Sequence, residues 1–380
     1  MRSRTMAGVF FIALGSAAPH AMAETKISGF SDVTFESTNA SHKDPSTNEK
    51  VNDKTSQFFL GDIDIFLASS LGDNFSWLSE SVFAAGGDNN SVLDVERLLV
   101  KYSPSDLFNV SVGRFHTALG YWNDTYHHGR WFQTPITRPS VYLFEDEGGI
   151  LPVHSVGVEI RGLFKSRFGY IFNLANGRGP TSDPVQINHD ADSQKAINLL
   201  LYYNTPLDGL RIGAGLYKDF IPENKTPLNP DGSGFALHGK ASESIVDAHL
   251  VYKAHQVEFL NEYHQITHLY KANPSNGFTD NTVKTTTKIT AIYSQLAYTL
   301  RDVYSPYFRY ESITGDADNS DPYLAVAKGL KHGTNILGVR FDASDTVSLK
   351  AEVAQDSQKS DADPDASTVS AYRANVCWAF

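Results

Sequence analysis

The chain has 380 residues, of which 32 are basic and 43 acidic, so its formal net charge is −11. This acidic balance excludes a polybasic surface for nucleic acid, and the single cysteine, Cys377, excludes an internal disulfide. Hydrophobic residues make up 41% of the chain. Beyond the N-terminus, however, no segment has the roughly 18 consecutive apolar residues of a membrane-spanning helix.

The first 23 residues have the layout of a targeting segment. Arg2 and Arg4 precede the apolar run "MAGVFFIALGSAA", and the small residues Ala21 and Ala23 stand just before Glu24. This order is typical of a cleaved secretory signal peptide. An uncleaved anchor helix is the alternative, but the apolar run is shorter than the ~20 residues that spanning requires. We therefore expect a signal peptide over 1–23 and an exported chain over 24–380.

The rest of the chain alternates apolar and polar residues with the period of a β-strand. These stretches are rich in Val, Ile, Phe and Tyr and are bounded by Gly, Pro, Asn and Asp, which is typical of strands. The pattern predicts sixteen strands. In chain order they are Ile27–Thr38, Gln57–Ser70, Phe75–Ala85, Ser91–Tyr102, Asn109–Ala118, Ser155–Phe164, Arg167–Ala175, Lys195–Asn204, Leu210–Phe220, Ser242–Lys253, Gln256–Thr267, Lys284–Leu300, Tyr304–Thr314, Gly333–Phe341, Thr346–Gln355 and Thr368–Phe380.

The lengths of the predicted connections are sorted by end. Links after even-numbered strands are tight, such as "LGDN", "KS" and "AH". Links after odd-numbered strands are long, as over Asn39–Ser56 and over residues 116–154, and only "GGDNN" is short. Outer-membrane barrels have short periplasmic turns and long extracellular loops. The fold prediction is therefore all-β, a transmembrane antiparallel β-barrel of about 16 strands.

The alternation assigns one face of each strand to the barrel interior. A soluble barrel would alternate in the same way with its apolar face inside. A barrel of sixteen strands is too wide for side chains to fill, so its interior is polar and hydrated. Charged residues that the alternation places in this lumen are Asp32, Glu36, Asp62, Asp64, Glu159, Arg161, Glu258, Glu262, Arg309, Glu311, Arg340, Lys350 and Arg373.

Two strands fit the alternation poorly. Arg97 falls in phase with apolar neighbours on the fourth strand, and Arg114 does so on the fifth. A β-bulge or a misplaced boundary would explain either position.

The longest connection, over residues 116–154, is the candidate for a pore constriction. Its many aromatic side chains allow it to pack, and it carries basic residues and a separate acidic run. Opposed charges across a narrow pore produce a transverse field, and rings of charge set ion selectivity. A loop that lies outside the barrel or covers a partner is the alternative. The candidate constriction residues are Tyr121, Trp122, Arg130, Trp131, Arg138, Glu145, Asp146 and Glu147.

The C-terminal residues "ANVCWAF" continue an apolar stripe that includes Tyr372, Val376, Trp378 and Phe380. With the signal peptide and the sixteen strands, this ending resembles Gram-negative outer-membrane porins of the 16-stranded general or substrate-selective type. The resemblance implies that the last strand closes the barrel against the first and that its aromatic end is the signal for the outer-membrane assembly machinery. It also implies a third long loop folded into the pore.

The same resemblance implies a function and partners. It predicts a passive outer-membrane channel for small hydrophilic solutes or ions, surrounded by lipid and lipopolysaccharide and assembled as a homotrimer. A barrel with a plugged lumen that acts as an adhesin or structural protein is the alternative. A barrel hydrolase is a further alternative, but no HExxH, GxSxG or phosphate-loop motif is present, so no enzyme is predicted.

Metal and cofactor sites are not predicted. The long loop carries His116, His127, His128 and His154, which makes metal binding a minor alternative. Adjacent side chains on an extended segment point apart, so the pair alone does not form a site. The acidic segments "DADNSDP" and "SDADPDAS" are hypothetical Ca²⁺ sites, because Ca²⁺ prefers oxygen ligands.

Overall fold

A computed structural model describes most of the chain after the predicted signal peptide. It describes residues 25–43, 50–85, 91–127, 129–144, 149–179, 193–222, 241–271, 284–315, 331–359 and 367–380. The predicted signal peptide over 1–23 lies outside these ranges. Two short helical turns occur in the described part, α1 over Trp122–Thr125 and a 3-10 turn over Ser140–Tyr142. No helix among these residues has the length and apolar character needed to cross a bilayer.

Sixteen antiparallel strands form a single closed barrel, in which each strand pairs with its sequence neighbours and β16 pairs with β1. The predicted fold class is therefore confirmed. The strands are β1 Thr25–Lys43, β2 Lys50–Ser70, β3 Phe75–Ala85, β4 Ser91–Ser105, β5 Phe108–His116, β6 His154–Phe164, β7 Phe168–Asn176, β8 Lys195–Asn204, β9 Leu210–Ile221, β10 Ala241–Ala254, β11 Val257–Lys271, β12 Lys284–Tyr298, β13 Tyr304–Gly315, β14 Lys331–Ser344, β15 Val347–Lys359 and β16 Ser367–Ala379.

The two ends of the chain close the barrel. Val33 stands opposite Val376, and Glu36 stands opposite Arg373. At the last residue, the backbone N–H of Phe380 donates to the carbonyl of Gly29, and the N–H of Gly29 donates to the carbonyl of Phe380, both at 2.9 Å. Closure removes the free strand edges that would leave backbone groups unpaired in a membrane.

The outer surface of the barrel is apolar. Every second residue of the strands points outward, as the alternation predicts, and large apolar side chains are exposed there, including Leu337 (64% exposed), Val353 (46%) and Tyr372 (56%). Exposed apolar area on this scale is unfavourable in water and marks a surface covered by lipid or protein. In a transmembrane barrel this band faces the acyl chains.

The predicted first long loop over Asn39–Ser56 is wrong. β1 continues to Lys43 and β2 begins at Lys50, and these two residues pair with each other. The segment is polar on both faces, as the pairs Thr38–Thr55 and Asn39–Lys54 show. A strand that is polar on both faces lacks the apolar alternation on which strand prediction depends. The predicted first strand therefore ended too early, and the predicted second strand began too late.

A β-bulge explains the misplaced phase of β4. Glu80 pairs with Arg97 and Ser81 pairs with Val95, so Glu96 is the extra residue. The bulge turns both Glu96 and Arg97 toward the interior, where the Arg97 guanidinium binds the Glu80 carboxylate. Bulges re-aim side chains in this way.

Arg114 on β5 needs a different explanation. The pairing of β5 with β4 is continuous from Leu98 to Tyr102. Gly113, directly before Arg114, has a φ of +141°, and a Cβ there would lie 2.0 Å from the Leu98 carbonyl oxygen. A glycine is therefore required at this twist. The Arg114 side chain is buried, and its Nε donates to the carbonyl of Glu96 at 3.3 Å.

Candidate functional site

The connection between β5 and β6 lies inside the barrel and reaches the opposite wall. Its backbone N–H groups donate to carboxylates of distant strands. Tyr121 and Trp122 donate to Glu262 of β11 at 2.7 and 2.9 Å. Ser140 donates to Glu311 of β13 at 2.7 Å. Since β5 and β6 are far from β11 and β13 around the barrel, the described part of this connection, which we call the lumen loop (residues 117–153), crosses the interior.

Cations on the far wall bind carbonyl groups of the same loop. Arg309 donates to the carbonyls of Thr137 and Arg138 at 2.7 and 3.1 Å. Lys350 donates to the carbonyls of Gln133 and Pro135 at 2.7 and 3.1 Å, and also to that of Arg130. A loop with little regular structure must satisfy its buried backbone groups in this way. Arg340 adds two such bonds, to Trp131 and Gln133.

Glu262 is the centre of the first anchor. Besides the two backbone N–H groups, it accepts hydrogen bonds from the hydroxyls of Tyr142 at 2.7 Å and Tyr293 at 2.5 Å. Burial and the neighbouring Glu262 carboxylate raise the pKa of the Tyr142 hydroxyl well above its ordinary value. The hydroxyl therefore keeps its proton and remains a donor to the carboxylate. His264 completes the group, with Nε2 at 2.9 Å from the Tyr142 hydroxyl.

Apolar packing supports the same half of the loop. Leu119, Tyr142 and Leu151 are fully buried, and Trp122 stacks on Tyr142 with ring centroids 5.1 Å apart. These side chains form one cluster with wall residues of β8 to β13, among them Tyr217, Ile245, Leu260 and Ile266. Fully burying a side chain of this size contributes about 1.5–3 kcal/mol. The aromatic content of the loop is therefore used in packing against the inner wall.

The other half of the loop presents basic side chains to an acidic wall. Arg130 Nη1 lies 2.9 Å from Asp32 Oδ2. A cavity of about 200 Å³ beside this pair is lined by Asp32, Asp62 and Asp64 from β1 and β2 and by Arg130 and Arg138 from the loop. Charges of opposite sign therefore face each other across this gap.

A bulge and a glycine create the acidic side of the gap. The β1–β2 register shifts between Ser31 and Val33, at Asp32. A Cβ on the neighbouring Gly61 would lie 2.2 Å from Asp32 Oδ1, so only glycine leaves room for this carboxylate. Asn375 of β16 also donates to Asp32 Oδ2, at 2.7 Å.

Of the thirteen charges predicted to line the lumen, neither carboxylate oxygen of Asp64 has a hydrogen-bond partner among the described residues. Seven others all have partners on the inside of the barrel: Glu159, Arg161, Arg309, Glu311, Arg340, Lys350 and Arg373. Glu159 and Asp124 both pair with Arg161, at 2.7 and 3.0 Å. Arg373 pairs with Glu36 at 2.5 Å and with Glu352 at 3.0 Å. The remaining four, Arg309, Glu311, Arg340 and Lys350, hold the loop as described above.

The predicted constriction residues are only partly within the described residues. Trp122 is buried, and Tyr121, Arg130, Trp131 and Arg138 are half-buried in the lumen loop. The acidic run Glu145, Asp146 and Glu147 lies outside the described residues, as do most residues of the two acidic segments proposed for Ca²⁺. Among the described residues, the acidic groups that face Arg130 are those of the barrel wall.

Sequence reasoning missed at least two anchors, Asp247, which accepts the N–H of Gly120 at 3.2 Å, and Glu352. Glu352 on β15 accepts the N–H of Ile136 at 3.1 Å and the hydroxyl of Tyr307 at 3.0 Å. Glu352 stands two residues after Lys350, so the side chains of both residues face the lumen. This spacing was the sequence signal that could have identified Glu352.

The structure also brings together four potential metal ligands, although no metal residue was predicted. Ligand atoms of Glu96, His116, His127 and His154 all lie within 4.8 Å of one another. His128, the other member of the adjacent pair, lies outside the described residues. The two ends of the long connection were the sequence signal for this cluster, because His116 and His154 stand opposite each other where β5 and β6 meet. Glu96 could not be found because the bulge reverses its phase.

The C-terminal stripe lies on the outside of the barrel. Tyr372 and Val376 are exposed on the outer face, and Phe380 is 58% exposed. Trp378 is half-buried at the end of β16. Their role in assembly stays a prediction.

Solved structures with the same architecture are known. The outer membrane channel DcaP of Acinetobacter baumannii superimposes with a TM-score of 0.67 at 12% identity, over 97% of this chain and 100% of that chain. The fold is that of a Gram-negative outer-membrane porin. An anion-selective porin from Comamonas acidovorans has a TM-score of 0.64 at 11% identity, over 94% of this chain and 100% of that chain.

A third structure with the porin fold, the trimer form of OmpT from Vibrio cholerae, has a TM-score of 0.61 at 12% identity, over 94% of this chain and 99% of that chain. No family model matches the sequence, and no curated protein sequence matches it. At these identities the likeness establishes the porin fold and no finer property.

Proposed function

We propose that the protein is a passive outer-membrane channel for small hydrophilic solutes or ions. The observation that carries this proposal is the charged gap between the lumen loop and the wall, where Arg130 and Arg138 face Asp32 and Asp62 inside a closed barrel. Two proteins with the same fold are named as an outer membrane channel and an anion-selective porin. The proposed function needs no covalent step and no cofactor.

Selectivity in this proposal arises from the gap. A solute that passes between Arg130 and Asp62 experiences a field perpendicular to the pore axis, since the opposed charges lie on its two sides. Low-dielectric walls strengthen that field. Polar solutes that can align a dipole or carry charge are therefore favoured over apolar solutes of the same size.

The location and assembly belong to the same proposal. The apolar outer face supports contact with outer-membrane lipid and lipopolysaccharide after cleavage of the signal peptide. The exposed stripe that ends at Phe380 supports recognition by the assembly machinery. A homotrimer is proposed because a protein with the same fold has a trimer form.

A barrel with a plugged lumen is the second candidate. It is favoured by the extent to which the loop is buried, with Leu119, Tyr142 and Leu151 fully covered. Such a protein would act through its external loops, as an adhesin or structural protein. Conductance separates the two candidates, because a plugged barrel passes little current.

The test is single-channel recording in planar lipid bilayers. We expect the wild-type protein to show discrete current steps that grow with salt concentration. Deleting Trp122–Pro139 removes the part of the loop that crosses the lumen, so the deletion variant should show larger steps. Absence of steps in the wild-type protein, together with steps in the deletion variant, would favour the plugged barrel.

A matched deletion controls for loop length. Removing residues 223–240, an equally long part of the connection between β9 and β10, measures the effect of a shorter connection alone, and the step size of the Trp122–Pro139 deletion should exceed it. Equal step sizes in the wild-type protein and both deletion variants would show that the lumen loop does not limit the current.

A further inference from the structure

The cluster of Glu96, His116, His127 and His154 joins the lumen loop to the barrel wall. Glu96 comes from the bulge of β4, His116 from the end of β5 and His154 from the start of β6, while His127 belongs to the loop. All four side chains are more than nine-tenths buried. This cluster adjoins the charged gap that carries the proposed function, because His127 also lines that cavity, whereas Glu96, His116 and His154 do not.

A neighbouring amide fixes the protonation of His127. The amide nitrogen of Asn123 donates to the carbonyls of Thr117 and Val153 at 2.8 and 2.9 Å, so its oxygen is directed away from these carbonyls. That oxygen lies 2.8 Å from His127 Nδ1 and can only accept. Nδ1 therefore carries the proton, and Nε2 of the neutral ring presents a lone pair to the cluster.

Three electron-rich atoms then converge on one point. His127 Nε2 lies 2.7 Å from His154 Nε2 and 3.3 Å from Glu96 Oε2, and Glu96 Oε2 also contacts His154 Nε2. A single proton on His154 cannot lie between all three pairs of atoms. A positive charge at the centre removes the repulsion between the lone pairs that remain.

His116 supplies a fourth group. Its ring stacks on His127 with centroids 3.6 Å apart, and its Nε2 makes no hydrogen bond within the described part of the chain. The nearest acidic atom is Glu80 Oε2, at 3.6 Å, and that carboxylate is already paired with Arg97. The imidazole nitrogen is therefore available as a ligand.

The surroundings favour a cation. Asp64, Glu80 and Glu96 are all buried on this part of the wall, and neither carboxylate oxygen of Asp64 accepts a hydrogen bond among the described residues. The basic groups nearby are Arg97 and Arg114 on the wall and Arg130 and Arg138 on the loop, and of these four only Arg114 is buried. Buried carboxylates in excess of buried cations are stabilised by an additional positive charge.

We propose that these four residues form a binding site for a divalent transition-metal ion of the Zn²⁺ class. Three imidazoles and one carboxylate are ligands that Zn²⁺ prefers, whereas Ca²⁺ and Mg²⁺ prefer oxygen alone. Ligands at about 2.0–2.1 Å from a tetrahedral ion lie roughly 3.3 Å apart, a spacing that small side-chain shifts would produce here. Because only His127 belongs to the loop, the ion would cross-link the lumen loop to the wall.

A cavity gives the ion access to this site. It has a volume of about 340 Å³, and its lining includes Glu80, Arg97, His116 and His127. An ion in the lumen can therefore reach the cluster without unfolding of the strands.

The test is metal titration of the full chain, purified in detergent without a histidine tag and stripped with a chelator. Co²⁺ is the probe, because its visible absorption reports a tetrahedral site with nitrogen and oxygen ligands, and Zn²⁺ should displace it. We expect one ion per chain. His127→Ala should lower the affinity more than about 100-fold, and Asn123→Ser, which frees the ring of His127, about 10–100-fold.

Two controls keep the test decisive. His255→Ala changes an exposed histidine of the β10–β11 turn and should bind Co²⁺ like the wild-type protein. Heat-dependent gel mobility checks that each variant is a folded barrel, and His154→Gln replaces His127→Ala if that variant does not fold. Zn²⁺ should also protect the lumen loop of the wild-type protein from protease. Absence of Co²⁺ and Zn²⁺ binding in the wild-type protein, or unchanged affinity in His127→Ala, would overturn the proposal.

Discussion

The two faces of the barrel are stabilised by different kinds of interaction. On the outer face, Leu337 and Val353 are neighbours across β14 and β15, and any large apolar side chain would serve there. On the inner face, Glu262 has four specific donors, and no other side chain supplies the same geometry. The outer face depends on the average character of its residues, whereas the inner face depends on individual partners.

This difference predicts how each face responds to substitution. A substitution on the outer face changes the stability of the barrel according to its depth in the bilayer, because the lipid around that face is uniform. An inner-face change acts according to the number of buried partners that it leaves unsatisfied. Substitutions on the two faces therefore test the comparison directly.

The largest effect is expected for Glu262→Ala. The variant leaves three donors without an acceptor, the N–H groups of Tyr121 and Trp122 and the hydroxyl of Tyr293, and each costs about 1–3 kcal/mol. The Tyr142 hydroxyl can still donate to the Leu119 carbonyl. The loop should detach at Tyr121 and Trp122, while the barrel stays closed. We expect rapid protease cleavage in the lumen loop and larger, noisier current steps in bilayers.

Asp356→Asn is the matched control for that variant. Asp356 also carries an inward-facing carboxylate, which pairs with His332 at 2.5 Å. No contact between Asp356 and the described part of the lumen loop is found, so protease resistance and conductance should stay close to the wild-type values. Equal protease sensitivity of both variants would contradict the specific role of Glu262.

The next largest effect is expected for Leu337→Arg on the outer face. Leu337 lies in the middle of β14 and is 64% exposed, so an arginine there would enter the acyl-chain region. The expected loss is about 2–4 kcal/mol in the free energy of unfolding, measured by denaturant titration in lipid vesicles. Tyr304→Arg, at the end of β13 near a turn, should cost only about 0–1 kcal/mol. Similar losses at both positions would argue against a lipid-facing band.

The same difference between the faces explains what could be predicted from the sequence. The outer face is a repeated pattern, so sixteen weak signals added up to the correct strand number and closure. Errors arose where the pattern is absent, as in the polar ends of β1 and β2, or interrupted, as at the Glu96 bulge.

The partners of the inner face could be predicted only in part. Alternation placed Glu262 and Arg309 in the lumen, but nothing in the sequence pairs Glu262 with Tyr142 or Arg309 with Thr137. These contacts depend on the path of a loop with little regular structure, and that path is set by tertiary packing. More of the histidine cluster than of these contacts could be predicted from the sequence, because antiparallel pairing brings the two ends of the loop together at His116 and His154.

The smallest effect on stability is expected at the charged gap, where Arg130 is 42% exposed and Asp32 keeps Asn375 as a donor. This gap gives the sharpest test of the proposed selectivity. Arg130→Gln combined with Arg138→Gln removes the basic side of the gap, so the reversal potential in a salt gradient should shift toward cation preference. Asp62→Asn weakens the acidic side and should shift it toward anions. Arg301→Gln, in the β12–β13 turn, should leave it unchanged. Opposite shifts are required because the two walls carry charges of opposite sign and act on the same passing ion. Shifts of the same sign, or none, would mean that ions do not pass between Arg130 and Asp62, and the selectivity would have to be assigned to another part of the lumen.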